Sequence, residues 1–101
     1  MTIAVEIVTS ASQEILAAMH RLVPQLSSSA TPMTMKSLND IVTSTSVTLF
    51  IAREDALIQG TLSLVTFQIP SGVRAWIEDV IVEETVRGSG VGEKLARAAA
   101  G

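Results

Sequence analysis

Cysteine and tyrosine are both missing from this chain of 101 residues, and histidine occurs once. Without cysteine there can be no disulfide, no thiolate metal site and no cysteine nucleophile, and the redox compartment is left open. The lack of tyrosine removes a side chain that can donate a proton to a leaving group. Aromatics are limited to Phe50, Phe67 and Trp76. Positive charge is also sparse: seven Lys and Arg are scattered singly in a chain of net charge −3. No basic stripe exists for a phosphate backbone, so a nucleic-acid partner is not expected. The opening "MTIAVEIVTS" has no basic region before an apolar core, and Glu6 interrupts it. No signal peptide, membrane span or membrane partner is read from it, which points to a cytoplasmic location.

What is present suits one small domain over 1–101. Hydrophobic residues make up 48% and charged residues 17%, a globular balance. Size scaling gives about 5,500 Å² of surface folded and about 15,500 Å² unfolded, so roughly 64% is buried.

Periodicity then divides the chain. "IAVEIV", Ile3 to Val8, is β-branched and loosely alternating, a first strand. Ser10 and Gln13 have capping-box spacing. Ile15, Leu16, Met19, Leu22, Val23 and Leu26 follow on one helical face. Pro24 is expected to kink that helix or end it near Leu22 or Val23. Thr34 is a cap for a short second helix carrying Met35, Leu38, Ile41 and Val42. Strands are predicted over Val47–Arg53, Ile58–Ile69 and Val73–Val82, separated by turns at Glu54–Ala56 and Pro70–Gly72. "VGEKLARAAA", Val91 to Ala100, begins a last helix. The order β-α-α-β-β-β-α is that of a mixed α+β domain. A strand-loop-helix unit usually returns to the sheet with another strand, so the chain is expected to be cut short, its C-terminal strands absent.

Three of the six glycines, Gly88, Gly90 and Gly92, fall within five positions at the join of the last strand and last helix. Glycine admits positive φ and close approach of a ligand to the backbone, at roughly 0.5–1 kcal/mol per site in regular structure. The first amides of the following helix have no intrahelical acceptor, and its N-terminus carries about half a positive charge. Together these make an anion cradle suited to phosphate. Arg87 adds a full charge at the rim, where a charge-assisted bond contributes roughly 1.5–3 kcal/mol. A flexible turn is the plainer alternative. A Walker loop is excluded because Gly92-Glu93-Lys94-Leu95 has no hydroxyl after the lysine. The dinucleotide fingerprint fits poorly, since the spacing is G-x-G-x-G and the expected acidic residue would lie past Gly101.

The stretch "VIVEETVRGSGVGEKL" resembles the acetyl-CoA-binding motif of the GNAT N-acetyltransferase superfamily. Arg87, Gly90 and Gly92 align with its (Arg/Gln)-x-x-Gly-x-(Gly/Ala) pattern. "FIAREDALIQGTLSLV" is similar to the family's second and third strands. "WIEDVIV" is similar to its fourth, particularly in relatives of glucosamine-phosphate N-acetyltransferases. The resemblance covers Val47 to Leu95, and the first 45 residues by element order alone. It implies a mixed, mainly antiparallel sheet flanked by helices, with a fourth strand that splays at a bulge. Main-chain groups of Val80, Ile81 and Val82 would then pair with pantetheine. Amides of Gly88, Ser89, Gly90, Val91, Gly92 and Glu93 would take the pyrophosphate.

The reaction so implied moves an acetyl group from acetyl-CoA to a small-molecule primary amine by direct attack on the thioester, with no metal. A backbone N–H near Val80 or Ile81 would steady the oxyanion. An alkyl amine has a pKa of about 10.4, so its deprotonation at pH 7 needs help. Glu78 and Asp79 are the carboxylates nearest the reacting centre; alternation sends them to opposite faces, and Glu78 is favoured as base or amine anchor, the plainer reading of either being a carboxylate in water or bonded to a neighbouring loop. Trp76 shares the face of Glu78, with core packing as its expected role and a wall of the cleft as the alternative. Glu83 and Glu84 are expected to face water. Arg53 and Arg74 are strand-end residues, solvated or in contact with substrate. Met19, Met33 and Met35 fall where the family builds its acceptor pocket, and core filling explains them equally well. The family often draws its thiolate-protonating tyrosine from a later helix, and this sequence has none. The competing reading is therefore a non-catalytic module that binds CoA or self-associates, with a homodimer expected from an unfinished sheet.

Overall fold

The computed structural model describes residues 2–101. Its elements are β1 (Ile3–Ile7), α1 (Gln13–Leu26), α2 (Met35–Thr43), β2 (Val47–Glu54), β3 (Leu57–Ile69), β4 (Gly72–Val82), a 3-10 turn (Glu84–Val86) and α3 (Val91–Ala100). The four strands form one antiparallel sheet in the order β1-β2-β3-β4. Element order and fold class are as expected; the 3-10 turn was not foreseen.

Strand alternation gives the sheet two apolar faces. Leu49, Ile51, Ile58 and Ile81 join Ile15, Met19, Leu22 and Leu38, so α1 and α2 cover one face. Phe50, Ala52 and Leu62 join Val91 and Leu95, so α3 covers the other. Each helix lays one stripe onto the sheet, and burial of that stripe, rather than helix propensity, holds it there.

Local signals differ from expectation at three points. The first helix is capped by Ser12, whose hydroxyl accepts from the Ile15 amide at 3.2 Å. Ser12 stands three residues before the first buried residue of the helix, so burial of Ile15 selects it over Ser10. The helix also continues through Pro24 to Leu26. Pro24 lies in the last turn, where its missing N–H costs a single bond, and Ser27 N still closes on the Val23 carbonyl at 3.0 Å. Leu26, assigned to the apolar face, is exposed. The capping box at the second helix is present between Thr34 and Ser37.

The ladder between β3 and β4 slips once. Ser63 pairs with Glu78 and Thr61 with Ile81, so Asp79 and Val80 together oppose Leu62. Asp79 takes a left-handed φ of 50° to make this bulge. β4, like β1, is an edge strand, and among the described residues no further strand pairs with its outer side. Val73, Trp76, Ile77 and Val80 are exposed along it. Trp76 is 59% exposed, not core, because among the described residues no helix covers that end of the sheet. The total surface of 6153 Å² exceeds the size-scaled value of about 5,500 Å², in keeping with that open edge.

Candidate functional site

The glycine loop is built by two left-handed residues. Gly88 has φ 89° and Gly90 φ 95°, and a Cβ on either would meet nothing within 4 Å. Glycine is needed there for the backbone angle, and the space above the backbone is open. Gly90 is the N-cap of α3 and supplies no side-chain bond. The first helical bond runs from Lys94 N to the Gly90 carbonyl at 3.1 Å.

Among the described residues, no acceptor meets the amides of Gly88, Gly90, Val91, Gly92 or Glu93. Ser89 differs, since its amide is bonded to the Val86 carbonyl at 3.2 Å. These residues, with Val82 and Arg87, line an open groove of about 360 Å³. Unpaired amides at a helix start, facing a groove, are a cradle for an anion.

Two charged side chains of the loop are already engaged. Arg87 folds back so that Nε donates to the Val82 carbonyl at 3.2 Å, joining the loop to the end of β4. Glu93 bonds Arg97 one turn along α3, at 2.6 Å. The carboxylate is thereby turned along the helix while the Glu93 amide stays in the first turn.

The loop is held in place from below. Arg21 on α1 pairs with Glu83 at 3.2 Å and donates to the Ile58 carbonyl. Gln25 Oε1 accepts from the Glu84 amide at 2.9 Å. Glu83 is only 13% exposed through this pairing, so it does not face water as expected, whereas Glu84 is exposed. The partner on α1 lies far away in sequence, which is why the pairing could not be read from the chain.

The bulge separates the two neighbouring carboxylates. Glu78 is exposed, and its Oε1 accepts from Trp76 Nε1 at 2.8 Å. Asp79 is exposed as well, and it also lines a small cavity of about 60 Å³ with Thr61, Ser63, Met19, Met33 and Ile81. Thr61 Oγ1 is spent on the Phe50 carbonyl at 2.9 Å. The single histidine, His20, donates through Nε2 to the Met33 carbonyl at 2.6 Å, a loop-fixing contact. Arg53 is not a free strand-end residue: it binds Glu6 at 3.0 Å and Glu14 through two bonds of 2.7 and 2.8 Å. Those bonds hold the Glu14 carboxyl below its ordinary pKa and push the Arg53 guanidinium up. Arg74 reaches Ser71 at 3.1 Å in the turn before β4. Among the described residues, no cluster of side chains is suited to a metal ion, and no helix is long and apolar enough to cross a membrane.

Solved structures share this fold. An aminoglycoside acetyltransferase from an uncultured soil metagenomic sample, solved with sisomicin, superposes with a TM-score of 0.82 at 17% identity, covering 97% of this chain and 67% of that one. A GNAT family acetyltransferase of Staphylococcus aureus gives 0.83 at 17% identity, covering 99% and 76%. Glucosamine-6-phosphate N-acetyltransferase of Arabidopsis thaliana gives 0.75 at 18% identity, covering 99% and 73%. At these identities the likeness is one of fold. Comparison with the curated proteins gives no match. The acetyltransferase (GNAT) family model matches residues 15–101, which takes in α1 from Ile15 onward, the whole β2–β4 ladder and the glycine loop. With the match spanning nearly all of the described fold, this chain belongs to the acetyltransferase (GNAT) family.

Proposed function

We propose that the protein is an acetyl-CoA-dependent N-acetyltransferase acting on a small-molecule primary amine. Family membership supports acetyl transfer as the reaction class. The observation that carries the cofactor assignment is the set of unpaired amides at Gly88, Gly90, Val91, Gly92 and Glu93 along an open groove. Bound there, acetyl-CoA supplies the activated acetyl group.

The chain's own residues take the remaining roles. The amides of Gly88, Gly90, Val91, Gly92 and Glu93 hold the pyrophosphate, with Arg87 at the rim. The outer main-chain groups of Val80, Ile81 and Val82 hold the pantetheine arm at the edge of β4, Arg87 releasing the Val82 carbonyl that it binds in the free protein. An amide at the bulge, at Val80 or Ile81, steadies negative charge on the reacting carbonyl oxygen. Asp79, in the lining of the cavity beside the bulge, holds the incoming ammonium and receives its proton, directly or through water. Glu78, tied to Trp76, stands at the mouth. A free thiol has a pKa of about 8.5, so the departing thiolate can be protonated by solvent near pH 7 without a tyrosine.

A second reading has its own support in the exposed apolar edge of β4, which suits self-association. In that reading the chain is a homodimeric, CoA-binding module without turnover.

Two measurements separate the readings. Acetyl-CoA at a hundredfold excess over its Kd should stabilise the protein by about 2.7 kcal/mol in thermal unfolding. Mass spectrometry should then detect acetylated product from a panel of primary amines. Stabilisation without product would favour the binding module. No stabilisation would remove the cofactor assignment.

A further inference from the structure

A second cavity adjoins the one that Asp79 lines. It measures about 250 Å³ and lies between the C-terminal half of α1 and the loop that leads to α2. Met19, Val23 and Met33 line both cavities and form the wall between them. Methionine has three rotatable bonds and no branch, so such a wall can give way to an incoming apolar group.

The linings restrict what could occupy this space. The larger cavity has no Lys, Arg, Asp or Glu in its wall. His20, also in that wall, is engaged with the Met33 carbonyl. Among the described residues, Asp79 is the only carboxylate lining either cavity, and Ser63 lines the smaller one with it. A phosphate-bearing amine needs a cation or a row of amides, and neither wall supplies one. A polyamine or aminoglycoside carries several ammonium groups, and one carboxylate can pair with one of them. The two volumes together, about 250 and about 60 Å³, lie at the bottom of the roughly 300–1,000 Å³ range of drug-sized sites, which also limits the occupant to a short chain or a single ring.

From this we infer that the acceptor is a small monoamine with an apolar body. Its ammonium pairs with Asp79, and its hydrocarbon part displaces the methionine wall and fills the cavity beside Pro24 and Pro32. The inference rests on the acetyl-transfer reading for its reaction, but the binding it describes does not require acetyl-CoA.

The test uses the full chain with its methionine methyls labelled with carbon-13, titrated without acetyl-CoA. The probes are hexylamine, 1-hexanol, spermidine and glucosamine 6-phosphate. Hexylamine should move the Met19 and Met33 methyl resonances, leave that of Met35 in place, and bind more tightly than spermidine or the sugar phosphate. Asp79→Asn should weaken hexylamine roughly three- to tenfold and leave 1-hexanol within about twofold. Asparagine tolerates the left-handed backbone at position 79, so that variant keeps the bulge. Tighter binding of spermidine or glucosamine 6-phosphate at the same methyls would overturn the inference, as would hexylamine shifts that spare Met19 and Met33. Because acetyl-CoA is absent, either result stands apart from whether the glycine loop binds the cofactor.

Discussion

Gly60 of β3 and Val91 of α3 are packed so closely that a Cβ on Gly60 would lie 2.7 Å from Val91 Cγ1. The same atom would lie 3.0 Å from Leu95 Cδ1 and 3.2 Å from the Ile81 carbonyl. The helix that opens with the glycine loop is thus seated by a missing side chain on the sheet. Gly60→Ala should force α3 outward and destabilise the fold by about 1–3 kcal/mol. Urea unfolding should show a lower midpoint with an unchanged slope. An unaltered midpoint would mean that the seat is slack.

Much of this arrangement is legible in the sequence, and the limits have physical causes. The β2–β3–β4 ladder follows from alternation and turn residues, and the start of α3 from its glycines, because these are local signals. The bulge in β4 is implied by the family resemblance, but its place at Asp79 is not: the positive φ is imposed by the ladder around Leu62, and aspartate does not announce it. Alternation places Trp76 and Glu78 on one face but cannot say whether anything covers that face, and Trp76 proves exposed. Arg53 meets Glu6 and Glu14 across separations of 47 and 39 residues, beyond any pattern in the chain.

The two left-handed glycines should respond differently from their neighbour. Gly88→Ala and Gly90→Ala each place a Cβ at positive φ, costing about 1–2 kcal/mol. Both should weaken CoA by about tenfold or more in calorimetric titration, since the amides they orient would turn. A Cβ on Gly92 would sit at an ordinary 3.4 Å from Val82 Cγ2. Gly92→Ala should therefore cost little stability, and any loss of CoA affinity in it would come from the ligand's approach to the backbone.

The separated carboxylates give a paired kinetic prediction. Asp79→Asn should lower kcat/KM for amine acetylation by about 100-fold at pH 7. Part of the loss should return at high pH, where the amine deprotonates in solution. Glu78→Gln should cost less than about tenfold, because it retains an acceptor for Trp76 Nε1. Glu78→Ala removes that acceptor, and emission of the single tryptophan should report the change. Equal kinetic losses for Asp79→Asn and Glu78→Gln would return Glu78 to the role favoured from sequence.

Arg53 joins three elements, since it lies on β2 and binds Glu6 of β1 and Glu14 of α1. Its hydrogen bonds are the leading cause of the lowered Glu14 pKa, against an ordinary value of 4.5, with burial opposing and charge attraction adding. A carboxyl with a folded-state pKa below its unfolded value stabilises the fold above the unfolded value and loses that contribution as pH falls through the folded one. Stability should therefore decline as pH drops below about 4.5, with Glu14 among the contributors. Arg53→Gln should lower stability at neutral pH and flatten that acid decline. The gap between wild type and variant should be widest near pH 7 and narrow at about pH 3, read from urea midpoints across the range. Because these side chains reach solvent, added salt should shrink the neutral-pH gap as well. A gap that stays constant from pH 7 to pH 3 would mean that the Arg53 contribution is packing of its aliphatic stem and not its bond to Glu14.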